Sequence, residues 1–235
     1  MADRPAVESI EQHNLALQHH FVNMEQQRNA ASLGMWLFLA TEIMFFGGLF
    51  CSYLIYRYWY PNEFAIASRA LSLPIGTVNT AVLICSSLTV ALSVRAAQVG
   101  QRKMLVILLL LTMLFGLTFL GVKGYEWHDE YERHHVPGLA FNISDLTAEY
   151  PQIHIDPVHT QLFFALYFAM TGLHALHMII GVGLFCFITF YAWKGHYGPD
   201  YHTPLENSGL YWHFVDIVWI YLFPLLYLID RHPLK

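Results

Sequence analysis

The stretch LGMWLFLATEIMFFGGLF, residues 33–50, is apolar apart from its middle, where it carries one carboxylate, Glu42. With its neighbours it is long enough to cross a bilayer as a helix, which takes about 20 residues. At a rise of ~1.5 Å per residue, Glu42 lies ~16 Å from Ala31, near the middle of a ~30 Å hydrocarbon layer. A charge there costs on the order of 3 kcal/mol, so Glu42 must be protonated, paired or turned toward protein. Arg28 and Arg57 are roughly 20 Å away along the helix, so any partner of Glu42 comes from another helix.

The composition is that of a membrane protein. Of the 235 residues, 56% are hydrophobic and only 12% are charged, whereas soluble domains carry about 25% charged residues. The net charge of -5 is small and scattered, which argues against a nucleic-acid partner or a polybasic surface. Cys51, Cys85 and Cys186 lie in separate apolar runs without a CxxC pair, so we expect buried free thiols rather than disulfides or a zinc site.

Five apolar runs follow a polar N-terminal arm at residues 1–30, and they make up a membrane domain at 31–235. The predicted spans are about 31–56, 75–94, 104–122, 162–193 and 210–229. None shows the alternating pattern of a strand, and only helices and closed barrels satisfy their backbone in lipid. The sequence therefore predicts an all-α, polytopic transmembrane helix bundle. Gly47, Gly48, Gly172 and Gly181 are expected to let helices approach closely.

The orientation of the bundle depends on its basic residues, because cytoplasmic loops are enriched in Lys and Arg. With the N-terminus inside, six basic residues fall on each side of the membrane, so the total does not decide. The densest cluster is the tight turn that contains Arg95, Arg102 and Lys103. Short loops weigh most in this rule, so we predict that this turn and the N-terminus are inside and the C-terminus is outside.

The one long connection is predicted at 123–159, on the outer side. It is acidic, with seven carboxylates against Lys123 and Arg133. Long loops in compact proteins are often functional. One interpretation is a surface that contacts an electron donor or a partner complex, and the other is a solvated lid over the bundle.

Four further polar groups lie at membrane depth and are candidate functional residues. His174 and His177 occur in TGLHALHMIIG, and His213 and Asp216 occur in YWHFVDIVW. Each pair is three residues apart and therefore shares a helix face. With Glu42, these residues fit three interpretations: metal or haem ligation, a proton relay, or polar contacts that hold helices together at ~0.6 kcal/mol each. The last is favoured by residue chemistry alone.

Several motifs together resemble a known family. They are LGMWLFLATEIMFFGGLF at 33–50, VNTAVLICSSLTVALS at 78–93, TGLHALHMIIG at 171–181, YWHFVDIVWIYLFPLLYL at 211–228 and, more weakly, GLTFLGVKGYEW at 116–127. Taken in the order in which they occur along the chain, they resemble subunit III of the haem–copper respiratory terminal oxidases, the cytochrome c oxidase type. They cover nearly all of the membrane part.

The resemblance implies a non-catalytic subunit of a bacterial inner-membrane oxidase. It implies no haem, copper or other cofactor in this chain apart from bound phospholipid. Subunit I, the direct partner, would reduce O2 to water and pump protons in aerobic electron transport, with subunit II and other subunits beside it and a larger supercomplex around them. This chain would stabilise subunit I and support proton uptake. Glu42 matches the family's buried carboxylate, and His174, His177, His213 and Asp216 match its polar residues.

Two departures and two alternatives accompany the resemblance. Many members have seven spans where five are predicted here, and Ser32 stands where the family often has a basic residue. A lipid contact is therefore not carried over to position 32. The alternatives are a subunit III-like protein of a nitric-oxide-reducing system and a stand-alone proton-coupled transporter.

Overall fold

The computed structural model describes residues 18, 20–138, 141–151, 155–199 and 201–229. Residues 1–17 and 19, most of the predicted N-terminal arm, lie outside the described residues. Within the described residues the chain forms seven helices and no strand. These are α1 (Met24–Trp59), α2 (Pro61–Ala70), α3 (Leu73–Gln98), α4 (Arg102–Glu132), α5 (Ser144–Glu149), α6 (Pro157–Lys194) and α7 (Thr203–Tyr227).

Five of these helices, α1, α3, α4, α6 and α7, are long and apolar enough to span a membrane. The prediction of an all-α bundle with five spans is therefore confirmed. Local sequence sets several of the helix ends. The Asn23 side chain accepts a hydrogen bond from the Gln26 amide at 2.8 Å and caps α1, and Asp156 caps α6 in the same way. Gly195, with φ at 85°, ends α6 in the left-handed conformation that glycine favours.

The main difference from the sequence prediction is the end of the third span. We expected it near residue 122, but α4 continues to Glu132, so the connection to α6 begins ten residues later. That connection contains the short helix α5. It also buries Ile143, Leu146 and Ile155 in the hydrophobic core, so its inner side is packed rather than solvated.

Helices α3, α4, α6 and α7 pack around large aromatic side chains, and α1 lies at the edge. Trp212 fits between two glycines: a Cβ at Gly116 would come within 2.8 Å of its ring, and one at Gly181 within 2.9 Å. Gly181 therefore allows a close approach, as predicted. At Gly47 and Gly48 nothing lies within 4 Å, so the prediction of close approach there is wrong within this chain, because they face outward from α1.

The cysteines also differ from the prediction. All three, Cys51, Cys85 and Cys186, are exposed on the outside of the bundle. An apolar run in a membrane helix faces either the protein interior or lipid, and both surroundings select the same residue types. Apolarity alone therefore could not place these thiols.

Candidate functional site: buried polar groups between the helices

Glu42 of α1 lies beside a histidine of α6. Its Oε2 atom is 3.2 Å from His177 Nε2, and the two side chains are 19% and 13% exposed. The depth of Glu42 predicts a partner on another helix, and His177 of α6 lies in that position. The contact joins the edge helix α1 to the centre of the bundle, and Phe46 packs against the same imidazole ring at 5.4 Å.

The other ring nitrogen of His177 contacts the backbone of its own helix. Nδ1 is 2.8 Å from the Leu173 carbonyl oxygen, which can only accept. Nδ1 therefore carries a hydrogen, and Nε2 is the ring nitrogen that faces the Glu42 carboxyl group.

His174 has different neighbours, although it lies less than one turn away on the same helix. It is 1% exposed, and its ring packs against Phe119 at 5.4 Å and Trp219 at 5.1 Å. Neither ring nitrogen has a hydrogen-bond partner among the described residues. The structure therefore does not bring His174 and His177 together on a common ligand.

His213 and Asp216 lie where α7 packs against α3. His213 Nδ1 is 2.6 Å from the Ser87 hydroxyl. Asp216 is 3% exposed, and neither of its carboxylate oxygens has a hydrogen-bond partner within the described part of the chain. This group is separate from the Glu42–His177 pair.

The most extensive polar cluster was not predicted. Lys123 and Glu126, at 1% and 3% exposure, lie on consecutive turns of α4, with Lys123 Nζ 3.2 Å from Glu126 Oε2. Lys123 also donates to the Tyr167 hydroxyl at 3.0 Å and the Tyr227 hydroxyl at 2.7 Å. Both tyrosines donate to Glu126. This four-residue cluster joins α4, α6 and the end of α7.

A second buried acidic residue of α4, Glu130, anchors the connection that follows the helix. Glu130 Oε2 is 2.6 Å from Nδ1 of the fully buried His135, and the Asp145 carboxylate is 3.1 Å from its Nε2. Burial lowers the pKa of His135, but the hydrogen bonds and negative charges of Glu130 and Asp145 outweigh it and raise that pKa above its ordinary value. The imidazolium thus bridges α4 and α5.

The sequence contained a signal for this missed region. Lys123, Glu126 and Glu130 follow one another at spacings of three and four residues, which places them on one helix face. By apolarity alone, their charge predicts the start of a loop. Charges paired within a bundle allow a helix to continue where an apolarity profile ends.

In the part of the chain that the structure describes, these polar groups form separate contacts between helices rather than one hydrogen-bonded chain. Among the described residues, no three His, Cys, Asp or Glu side chains are grouped as a metal site would require. The fold and these contacts define a polytopic helix-bundle membrane protein whose interior is joined by buried polar pairs.

Comparison with known proteins extends this description. A family model described as "Cytochrome c oxidase subunit III" matches residues 10–230. Cytochrome c oxidase subunit 3 of Thermostichus vulcanus is 32% identical over 204 residues, which cover 85% of this chain and 87% of that protein. The probable cytochrome c oxidase subunit 3 of Nocardia farcinica is 30% identical and covers 86% and 89%. The probable quinol oxidase subunit 3 of Staphylococcus saprophyticus is 27% identical and covers 89% and 96%.

The chain belongs to the cytochrome c oxidase subunit III family. It is thus a multi-pass membrane protein of the haem–copper oxidase subunit III type, as the resemblance predicted. These matches favour the oxidase subunit over the alternatives of a nitric-oxide-reducing system or a stand-alone transporter.

Proposed function

We propose that this chain binds directly to the catalytic subunit I of a bacterial inner-membrane oxidase, beside subunit II, and stabilises it during turnover. The observation that supports this proposal best is the exposure of α1. Of its 36 residues only Leu39, Phe46 and Tyr53 are buried, while large side chains such as Trp36, Leu37 and Met44 are 61%, 61% and 79% exposed. A helix with so little packing in its own chain is suited to contacts with other subunits and with lipid.

In this proposal, Glu42, His174, His177, His213 and Asp216 have supporting rather than redox roles. Haem and copper belong to the partner subunits. Glu42 and His177 hold α1 on the bundle and keep a polar group near the site where subunit I takes up protons. Their loss would shorten the working life of the oxidase more than it would slow each turnover.

Lipid binding is the second component of the proposed function. Arg95, at the end of α3, lines a cavity of about 290 Å³ together with apolar residues of α3 and α4, among them Leu92, Met104 and Leu108. A guanidinium above an apolar wall suits the phosphate and acyl chain of an anionic phospholipid. Replacing Arg95 with Gln should lower the amount of phospholipid that co-purifies, measured by mass spectrometry. Lys103→Gln, which removes a nearby exposed charge that does not line the cavity, is the control.

The experiment that tests the proposed function is purification of the tagged chain from native membranes in mild detergent. We expect a haem–copper subunit I to co-purify, with its haem bands in the reduced-minus-oxidised spectrum and with O2 consumption. Co-purification with an enzyme that consumes nitric oxide would support that alternative. A single polypeptide without haem bands would overturn the proposal in favour of a transporter.

A further inference from the structure

One face of α7 is uncovered along the middle of the bundle. His213, Ile217, Ile220 and Pro224 follow one another at spacings of three and four residues, and therefore share a face of the helix. Ile217 and Ile220 are 52% and 48% exposed, Pro224 is exposed, and His213 is half-buried. This stripe is apolar apart from the imidazole.

Two other helices, α1 and α3, pack against α7 on opposite sides of the stripe. On one side α1 packs against α7, where Tyr53 donates to the Leu225 carbonyl at 2.6 Å and Phe46 contacts Phe214 at 6.3 Å. On the other side α3 packs against α7, where the Trp219 indole N–H donates to the Thr80 hydroxyl at 3.0 Å. Across the described part of the chain, α1 and α3 do not contact each other. The stripe is therefore the floor of a groove, which we name the α7 groove.

His213 is a polar group on this floor at membrane depth. It lies roughly 15 Å from Thr203 and roughly 21 Å from Tyr227 along the helix axis. Its Nδ1 atom is hydrogen-bonded to the Ser87 hydroxyl, and this is the hydrogen bond that His213 makes within the described residues, so Nε2 has no partner there. Nε2 is a donor in one neutral tautomer and an acceptor in the other. The hydrocarbon core offers it no water, so an unpaired nitrogen there costs free energy.

We propose that the α7 groove receives a transmembrane helix of a neighbouring oxidase subunit, with a polar side chain of that helix hydrogen-bonded to His213 Nε2. This rests on the proposed function, and it adds a second face of the chain, beside exposed α1, that meets another subunit. A lipid acyl chain could fill an apolar groove, but it has no group that satisfies an imidazole nitrogen. A helix fills the space between α1 and α3 and supplies the missing hydrogen bond.

A photo-reactive amino acid at Ile217 in the native oxidase tests the occupant of the groove. The matched control is Leu117 of α4, which is 56% exposed and also near mid-span. We expect irradiation of the purified oxidase to join position 217, but not 117, to an identified oxidase subunit. Products with lipid only at 217, or the same subunit captured from 117 alone, would overturn the groove as interface. They would leave the proposed function intact, since the subunits still co-purify.

Two substitutions test the hydrogen bond itself. His213→Leu should reduce retention of this chain in the oxidase under detergent titration by roughly threefold to twentyfold, the range for polar contacts between membrane helices. His213→Gln, which keeps a polar group, should retain it like the wild type. Equal retention of the Leu and wild-type chains, each with normal helix content by circular dichroism, would contradict the hydrogen bond. If no oxidase subunit accompanies even the wild-type chain, both the proposed function and the groove inference fail.

Discussion

Glu42 is held by a histidine whose other ring nitrogen already faces a carbonyl oxygen, and this determines which residues can replace it. A Gln side chain can donate to His177 Nε2, so Glu42→Gln should preserve initial O2 turnover of the oxidase. Glu42→Leu removes the polar contact between α1 and α6, and it should speed inactivation during turnover by roughly threefold to twentyfold. Progress curves of O2 consumption measure both quantities.

The control for Glu42 is Thr41→Val. Thr41 is exposed on α1, and among the described residues its hydroxyl donates only to the Phe38 carbonyl of its own helix, at 2.7 Å. The Thr41→Val substitution should leave both the initial rate of O2 consumption and the lifetime of the oxidase unchanged. Complete loss of the first turnovers in Glu42→Gln would show that the acid takes part in turnover itself rather than in holding α1.

Lys123 and Glu126 depend on each other because both are buried. Removing one partner leaves the other charge without compensation, which typically costs ~3–5 kcal/mol. Lys123→Met and Glu126→Leu should therefore each lower the free energy of unfolding by about that amount. The double variant should lose less than the sum of the two single variants, because it leaves no unpaired charge. Denaturant titration of the purified chain in detergent provides all three values.

Exposed Lys194, which lies over the Phe190 ring at 4.3 Å, provides the matched control. Lys194→Met should change the unfolding free energy by no more than about 0.5 kcal/mol. Additive losses in the Lys123 and Glu126 double variant would mean that the two side chains act independently of each other.

At the scale of helices, the sequence predicts the core of each span well and its ends less well. Apolarity over about 20 residues sets where a helix must cross the membrane. It does not set where the helix ends, and α4 continues ten residues beyond its apolar run because Lys123 and Glu126 neutralise each other inside the bundle. The expectation that a partner of Glu42 comes from another helix followed from its depth. The separation of His174 from His177 did not, because it depends on the rotation and position of neighbouring helices.

The stability of the folded connection between α4 and α6 should depend on pH. The pKa of His135 is raised above its ordinary value of 6.5 by Glu130 and Asp145 against the opposing effect of burial. The stabilisation by this bridge is then fully present below about pH 6.5 and decreases as the pH rises through the folded-state pKa. Limited proteolysis of residues 133–151 should therefore become faster with rising pH above 6.5.

His135→Gln should remove most of this pH dependence, because Gln carries no titrating charge. The control is His128→Gln: His128 is also paired with a carboxylate, that of Glu132 at 3.3 Å, but it is 67% exposed. Proteolysis that is independent of pH in the wild type would contradict the bridge as the anchor of this connection.

At the scale of the whole molecule, an apolarity profile does not distinguish the face of a helix that meets lipid or a partner from the face that meets its own bundle. Cys51, Cys85 and Cys186 were misplaced for this reason, and so were Gly47 and Gly48. The uncovered face of α1 and the α7 groove emerge only when the helices are arranged in space. The same arrangement places the turn between α3 and α4 at one end of the bundle and the connection with α5 at the other.

That arrangement makes the orientation of the whole chain testable with two cysteines. The turn at Gln101 is flanked by Arg95, Arg102 and Lys103, and short basic loops stay in the cytoplasm. We therefore expect Gln101→Cys in intact cells to resist a membrane-impermeant thiol reagent, and Glu149→Cys on exposed α5 to react. Permeabilised cells should label both positions, which shows that each cysteine is accessible.

The opposite labelling pattern would overturn the predicted orientation and also the proposed place of the acidic connection. With Glu149 outside, exposed carboxylates such as Glu132 and Glu149 face the side from which a soluble electron donor approaches. With Glu149 inside, they could not meet such a donor, and the interpretations as a contact with a partner complex or as a lid would remain. This labelling experiment therefore shows on which side of the membrane the turn between α3 and α4 lies and on which side the acidic connection lies.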